Sequence, residues 1–108
     1  MYRNSITWEK IVAEYANNPR DVITVPITNK KGIWFYVHTK NGSVYISGAK
    51  CHSKSSKISW PIRLQSDKFE DMLQIYLRRK NGVPVSQEAT ATTRQQVYWY
   101  GIFADMGI

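Results

Sequence analysis

One dipeptide, Asn41-Gly42, constrains the fold of this 108-residue chain more than any other feature of the sequence. It separates two runs rich in β-branched and aromatic residues, 33–40 and 43–47. Asn-Gly between such runs is typical of a two-residue type I′ turn, so the segment is predicted to form a β-hairpin with a fixed register. The predicted pairs are Lys40 with Ser43, Thr39 with Val44, His38 with Tyr45, Val37 with Ile46, and Tyr36 with Ser47.

Side chains alternate between the two faces of a strand, so this register sorts the hairpin into two sets. The apolar set is predicted to face the core and consists of Ile33, Phe35, Val37, Val44 and Ile46. The opposite set is aromatic or polar-tipped and consists of Trp34, Tyr36, His38, Tyr45 and Ser47. The hairpin is therefore expected in a sheet with one face packed against the core.

Two further strands and a loop are predicted around the hairpin. The segment 21–27 is rich in Val, Ile and Thr, which favours a strand. The segment 48–56 has no hydrophobic period and is expected to be an exposed loop. In segment 58–64, apolar residues alternate with those of the opposite face, which predicts a half-buried strand. Pro61 places this strand at the edge of the sheet, because proline has no N–H to donate to a neighbouring strand. Its predicted inward residues are Ile58, Trp60, Ile62 and Leu64.

Helical spacing of apolar residues predicts helices before and after the strands. The first covers 5–17 with Ser5 as its N-cap, and the second follows a cap at Ser66 and continues to 80. A short turn is expected at Ser86. The apolar segment 97–103 suits either a helix or a strand; we predict a helix over 93–105.

A threonine, 92 or 93, is expected to cap this last helix, with Gln95 or Gln96 completing a capping box. The element order is then α-β-β-β-β-α-α. The sequence predicts a single α+β domain over 1–108, with an antiparallel sheet of three to four strands packed by an N-terminal helix and two C-terminal helical segments. The other sheet face is expected to be accessible to solvent.

The positive charge of the chain is concentrated in one region. Lys and Arg number 15 against 8 Asp and Glu, a formal net charge of +7. No acidic residue lies between Asp21 and Asp67, so the whole excess belongs to this interval. Its basic residues are Lys30, Lys31, Lys40, Lys50, Lys54, Lys57 and Arg63. A field of one sign attracts polyanions, although many small domains carry similar charge for solubility alone.

Cysteine content and hydropathy indicate the compartment. Cys51 is the single cysteine and cannot form an internal disulfide, and residues 1–5 do not begin an apolar signal segment. The longest apolar run, 97–104, falls well short of the roughly 20 residues that span a bilayer. We therefore expect a cytoplasmic protein with no membrane partner.

Aromatic residues on an open sheet face beside lysines are used by proteins that bind single-stranded nucleic acid, where bases stack on rings and cations contact phosphates. This pattern predicts a non-enzymatic module for single-stranded DNA or RNA. Its stacking residues would be Trp34, Tyr36, His38 and Tyr45, and its phosphate contacts the seven basic residues above. Three alternatives remain open: another element such as 97–103 covers this face, a second subunit covers it in a homodimer or other protein complex, or the rings line a small-ligand site.

Other chemistry is less favoured by the sequence. His38 and Cys51 are candidates for a general base and a nucleophile, but neither has a partner at diagnostic spacing, and no phosphate loop occurs. Cys51 and His52 lack the spacing of a zinc site, so no metal or cofactor is predicted. The basic run 78–80, with Arg94, suits a helix end better than a second phosphate site.

The C-terminal part of the chain resembles a known group of proteins. The stretches YLRRKNGVPVSQEAT (76–90) and TTRQQVYWY (92–100) carry the resemblance. They are similar to those of small uncharacterised bacterial proteins carried in integron gene cassettes. The resemblance implies a bacterial, cytosolic accessory protein of mobile DNA, and it implies no catalytic or ligand motif.

Overall fold

A computed structural model describes residues 6–26 and 31–108. The predicted α+β class and element order are confirmed, and the short turn expected at Ser86 is a seven-residue helix. The elements are α1 (Trp8–Asn17), β1 (Arg20–Ile23), β2 (Trp34–Lys40), β3 (Ser43–Gly48), β4 (Ile62–Arg63), a 3₁₀ turn (Ser66–Lys68), α2 (Phe69–Lys80), α3 (Ser86–Thr92) and α4 (Gln96–Asp105).

The four strands form one antiparallel sheet in the order β1-β2-β3-β4. All five predicted pairs of the β2-β3 hairpin are confirmed. Asn41 and Gly42 have φ angles of 53° and 78°, the positive values that a type I′ turn requires at both central positions. The short side chain of Asn and the absent side chain of Gly tolerate this region best, so the local sequence determines the register.

One face of the sheet contributes to the core, as the alternation predicts. Phe35, Val37, Val44 and Ile46 are completely buried, and Val22 of β1 joins them. The inward placement predicted for Ile33 is wrong, because this residue precedes β2 and is 46% exposed at the end of the sheet.

The strand predicted over 58–64 is mostly wrong. Only Ile62–Arg63 pairs with β3, and the side chains expected to face the core at positions 60 and 62 are 79% and 44% exposed. Leu64 is buried, and Ile58 packs against the rim of the core. Pro61 has no N–H to donate, and this segment pairs with β3 only after Pro61. The alternation of apolar residues before β4 therefore does not place them in the core.

β4 lies at the sheet edge, as Pro61 predicts, and a glutamine side chain covers part of that edge. The amide of Gln95 donates to the carbonyl of Arg63 and accepts the N–H of Gln65, both at 3.0 Å. These bonds imitate a neighbouring strand and, together with proline, block pairing with another chain. The same bonds explain why the predicted capping box at α4 is wrong. The side chain of Gln95 is used at the sheet edge and makes no cap hydrogen bond to α4, while Thr93 Oγ1 accepts the N–H of Gln95.

The helix starts differ from the predictions at two further places. α1 begins at Trp8, and Thr7 Oγ1 accepts the N–H of Lys10 at 3.2 Å; Ser5 lies outside the described residues. Ser66 begins the 3₁₀ turn and makes no side-chain cap for α2. The segment 97–103 belongs to α4, which confirms the helix over the strand.

Helices pack on the core face of the sheet. Thr39 of β2 donates its hydroxyl to the carbonyl of Val12 in α1 at 2.8 Å. α4 approaches so closely that a Cβ at Gly101 would lie 2.8 Å from the carbonyl oxygen of Ile23 and 3.0 Å from the ring of Phe35. Trp99, two residues earlier in α4, is fully buried. α4 therefore contacts the backbone of β1 and the Phe35 ring of β2 directly.

We predict that Gly101→Ala lowers the stability of the protein by about 1–3 kcal/mol, because the added methyl overpacks a rigid contact. Helix propensity alone predicts the opposite, a gain of about 1 kcal/mol. Urea unfolding followed by tryptophan fluorescence measures the difference. An increase in the unfolding midpoint would contradict the close contact.

Candidate functional site

The sheet face opposite the core carries the four rings predicted for binding. Trp34, Tyr36 and His38 follow one another along β2, and Tyr45 lies on β3 directly opposite His38. All four side chains are half-buried. The centroids of Tyr36 and His38 are 5.7 Å apart, and those of His38 and Tyr45 are 5.6 Å apart with nearly parallel planes. We call this row of four rings the outer face.

Residues 49–56, which we call the strap, fold back over one end of the outer face. The carbonyl of Lys54 accepts the N–H of Trp34, and the N–H of Ser56 donates to the carbonyl of Trp34, both at 2.8 Å. The ring of His52 stacks on Trp34 with centroids 3.8 Å apart, and the ammonium of Lys50 lies 4.7 Å from the centre of the Tyr36 ring. The loop predicted here is confirmed as exposed over 50–55, but it occupies one side of two predicted stacking residues.

Asp21 of β1 holds the strap in place. Its side chain is only 2% exposed, and its carboxylate accepts the N–H groups of Lys50, Cys51 and His52 at 2.8–3.0 Å. The Nδ1 atom of His52 lies 2.8 Å from the same carboxylate. Burial alone would raise the pKa of Asp21, but these hydrogen bonds outweigh it and hold the pKa below its ordinary value. From the sequence, Asp21 marks only the start of a predicted strand and one end of the basic interval, and this role in holding the strap was not predicted.

The other end of the outer face is free of the strap's ring contacts. A cavity of about 310 Å³ lies there, lined by His38, Lys40, Asn41, Tyr45 and Pro61. Burial, followed by the charges of Lys50 and Lys40, lowers the pKa of His38 below its ordinary value of 6.5. His38 is therefore neutral at pH 7 and keeps one ring nitrogen as an acceptor.

The predicted basic residues do not all lie together. Lys40 continues the outer face, Lys50 covers Tyr36, and Arg63 pairs with Tyr45 from β4. Lys54 and Lys57 are exposed on and after the strap, and Lys31 is exposed before β2. Lys30 lies outside the described residues. The strands and strap contain one carboxylate, Asp21, and its hydrogen bonds satisfy it internally.

The second basic cluster has partners within the protein. Arg78 forms two hydrogen bonds with Glu88, at 2.6 and 2.8 Å. Arg79 donates to the carbonyl of Val25 and lies over the Tyr100 ring, 4.3 Å from its centre. These contacts fit the structural role that the sequence favoured for the end of α2.

Trp60 is the exposed aromatic residue that the sequence analysis assigned to the core. Its side chain is 79% exposed, directly before Pro61, which lines the cavity. The period-two alternation of apolar residues predicted burial of Trp60. The adjacent Pro61 is the one local signal that the strand does not extend to this position.

Metal and catalytic candidates are not assembled into a cluster. Within 6–26 and 31–108, no group of three or more His, Cys, Asp or Glu residues is arranged to hold a metal ion. Cys51 is a free, exposed cysteine, and its neighbour His52 is engaged by Asp21.

Comparisons with known protein families, curated proteins and solved structures find no match to this chain. Among the described residues, no helix combines the length and apolar character needed to cross a membrane.

We predict that Asp21→Asn loosens the strap, because an amide has one acceptor oxygen and its NH₂ group then faces at least one N–H donor, that of Lys50 when the oxygen faces Cys51 and His52. Each hydrogen bond lost at this exposed segment costs about 0.5–1.5 kcal/mol. Amide hydrogen exchange at residues 50–52 should become faster, while Asp71→Asn, at an exposed position in α2, leaves it unchanged. Unchanged exchange at 50–52 in Asp21→Asn would contradict the role of Asp21.

The same carboxylate predicts a pH dependence. The pKa of Asp21 is lower in the folded than in the unfolded chain, so its ionised form stabilises the fold. This contribution to the free energy of unfolding is complete above the unfolded pKa of about 3.9. The contribution is lost as pH falls through the lower pKa of the folded protein. The stability difference between wild type and Asp21→Asn, measured by urea unfolding, should therefore shrink from pH 5 to pH 2. His38 also has a lowered pKa, but both proteins share that loss. A constant difference would argue against this titration.

Proposed function

We propose that this protein is a non-enzymatic module that binds single-stranded nucleic acid through the outer face. One observation carries the proposal: a row of four rings lies opposite the helix-packed face, with Lys40, Lys50 and Arg63 around it and its sole carboxylate satisfied internally. Phosphates approaching this face meet cations and no free anion. The whole charge excess of the chain comes from this same region.

The spacing of the rings suits unpaired bases better than a duplex. Alternate residues of one strand lie about 6.6 Å apart, so successive side chains of β2 offer successive contacts to an extended strand. Stacking a base on an aromatic ring contributes about 1–3 kcal/mol and tolerates any base sequence. A duplex keeps its base faces stacked inside, out of reach of such rings.

The two ends of the outer face act at different steps. The rings of His38 and Tyr45 lie at the end with the open cavity, and a base contacts this end first. A base that stacks on the strap side of Trp34 displaces the ring of His52, since the two rings are already in face-to-face contact. Lys54 and Lys57, exposed near the strap, then supply additional phosphate contacts.

The setting we propose is the bacterial cytoplasm. The free Cys51 suits a reducing compartment, and the resemblance of 76–100 to integron cassette proteins adds an accessory role associated with mobile DNA.

A homodimer that buries the outer face is the second candidate. The exposed side chains of Trp60 and Ile62 favour it, because apolar groups of this size beside an aromatic face are typical of protein interfaces. Pro61 and the Gln95 amide obstruct strand pairing at β4, so such a dimer would use side-chain packing. It predicts a dimer that dissociates on dilution in analytical ultracentrifugation.

We predict salt-dependent binding of a mixed-sequence single-stranded oligonucleotide, followed by tryptophan quenching. With five cations each neutralising one phosphate, the slope of log K against log salt should be about −3.5, at about 0.7 per contact. They are Lys40, Lys50, Lys54, Lys57 and Arg63. Lys40→Ala or Arg63→Ala should reduce the magnitude of the slope by about 0.7. Lys80→Ala, on α2, is the matched control and should leave the slope unchanged. Absence of binding at low salt would eliminate this function in favour of the dimer.

A further inference from the structure

We infer that the cavity at the hairpin end of the outer face, lined by His38, Lys40, Asn41, Tyr45 and Pro61, is the subsite for one nucleotide unit of the bound strand. The inference rests on the proposed function and identifies where binding starts. It assigns a role to the hairpin turn, which the proposed function leaves unused.

The cavity has the surfaces that a nucleobase requires. A base presents flat apolar faces, and the cavity wall is formed in part by the rings of Tyr45, His38 and Pro61, of which His38 and Tyr45 stack on each other. The volume of about 310 Å³ lies at the small end of the range for ligand sites. That size suits one nucleotide.

The polar groups match the remaining parts of a nucleotide. The carboxamide of Asn41 has an acceptor oxygen and an NH₂ donor, so it can form hydrogen bonds with the polar edge of a base, which also carries donors and acceptors. Its backbone is fixed in the type I′ turn at φ 53°, so the carboxamide is presented from a rigid position. Lys40, the preceding residue, supplies a positive charge for the phosphate. His38 has a lowered pKa and is neutral at pH 7, so it adds no second positive charge to that of Lys40.

Three other cavities are less suitable for a nucleotide. The groove that contains Lys68 and Arg94 has cations but no aromatic ring on which a base could stack. The groove beside Trp8 and Phe69 contains the carboxylates of Glu9, Asp67 and Glu70, which repel phosphate. In the groove between α3 and α4, the guanidinium of Arg79 is already bonded to a carbonyl and stacked on a ring. On the outer face itself, Trp34 and Tyr36 are already in contact with strap residues.

The test uses the full chain and compares uridine monophosphate, inorganic phosphate and a ten-residue oligothymidine by NMR titration of backbone amides at low salt. We expect uridine monophosphate at millimolar concentration to shift the amides of 38–45, and phosphate alone to bind at least tenfold more weakly. The oligothymidine should shift these amides and those of β2 and the strap.

Asn41→Asp is the decisive variant, because Asp-Gly also favours the type I′ turn while the amide becomes an anion beside Lys40. We expect it to weaken both nucleotide and oligonucleotide binding about tenfold or more, which corresponds to about 1.4 kcal/mol. Asn81→Asp, at an exposed Asn-Gly after α2, introduces the same charge away from the outer face, and as the matched control it should change neither. Trp34→Ala should weaken only the oligonucleotide.

The outcomes separate the two claims. Oligonucleotide binding that is unaffected by Asn41→Asp, or nucleotide shifts that fall outside 38–45, would overturn the subsite and leave the proposed function standing. Equal affinity for phosphate and uridine monophosphate would also overturn it, because the cavity would then be an anion site without base recognition. Failure of the oligothymidine to bind at low salt would overturn the proposed function itself.

Discussion

The contact between α4 and the sheet at Gly101 determines which face of this small domain is available. The backbone of α4 approaches the backbone of β1 there without an intervening side chain, and on β2 it meets the ring of Phe35. Its apolar side chains, with Trp99 fully buried among them, then fill the space between the sheet and the other helices. With the helices packed on one face, the period of two along β2 places every second ring on the other. The aromatic outer face thus follows from the packing of α1 and α4 on the opposite face of the sheet.

Asp21 is the one carboxylate of the strands and the strap, and the strap covers it. It stays ionised, but its oxygens are occupied by hydrogen bonds from the strap. Four hydrogen bonds from the strap stabilise the ionised form inside the protein, and only 2% of the side chain reaches solvent. The same bonds hold Lys50 above Tyr36, where its charge also acts on His38. One buried acid therefore organises both the geometry and the electrostatics of the outer face.

The parts of the fold that could be predicted from sequence are those specified by neighbouring residues. Asn41-Gly42 specifies the hairpin register, and alternation around it separates core residues from outer rings. The parts that could not be predicted depend on residues distant in the chain. Asp21 binds a segment 29 to 31 positions away, and Gln95 satisfies the edge of β4 from 30 and 32 positions away. Trp60 fits the alternation of a half-buried strand, yet it lies before β4 begins and its side chain is exposed. Local periodicity carries no information about such distant partners.

The arrangement of strap and cavity connects the two ends of the outer face. Lys50 contacts Tyr36 and lowers the pKa of His38, so its ammonium lies between the strap and the cavity. A phosphate that follows a base held at the cavity meets this ammonium next and competes with the Tyr36 ring for it. The side chain of Lys50 is flexible, so its ammonium moves to this phosphate while the N–H bonds of residues 50–52 to Asp21 hold the strap in place. In the proposed function, a strand that binds at the open end therefore reaches the Lys50 ammonium before it reaches Trp34, whose ring is stacked with His52.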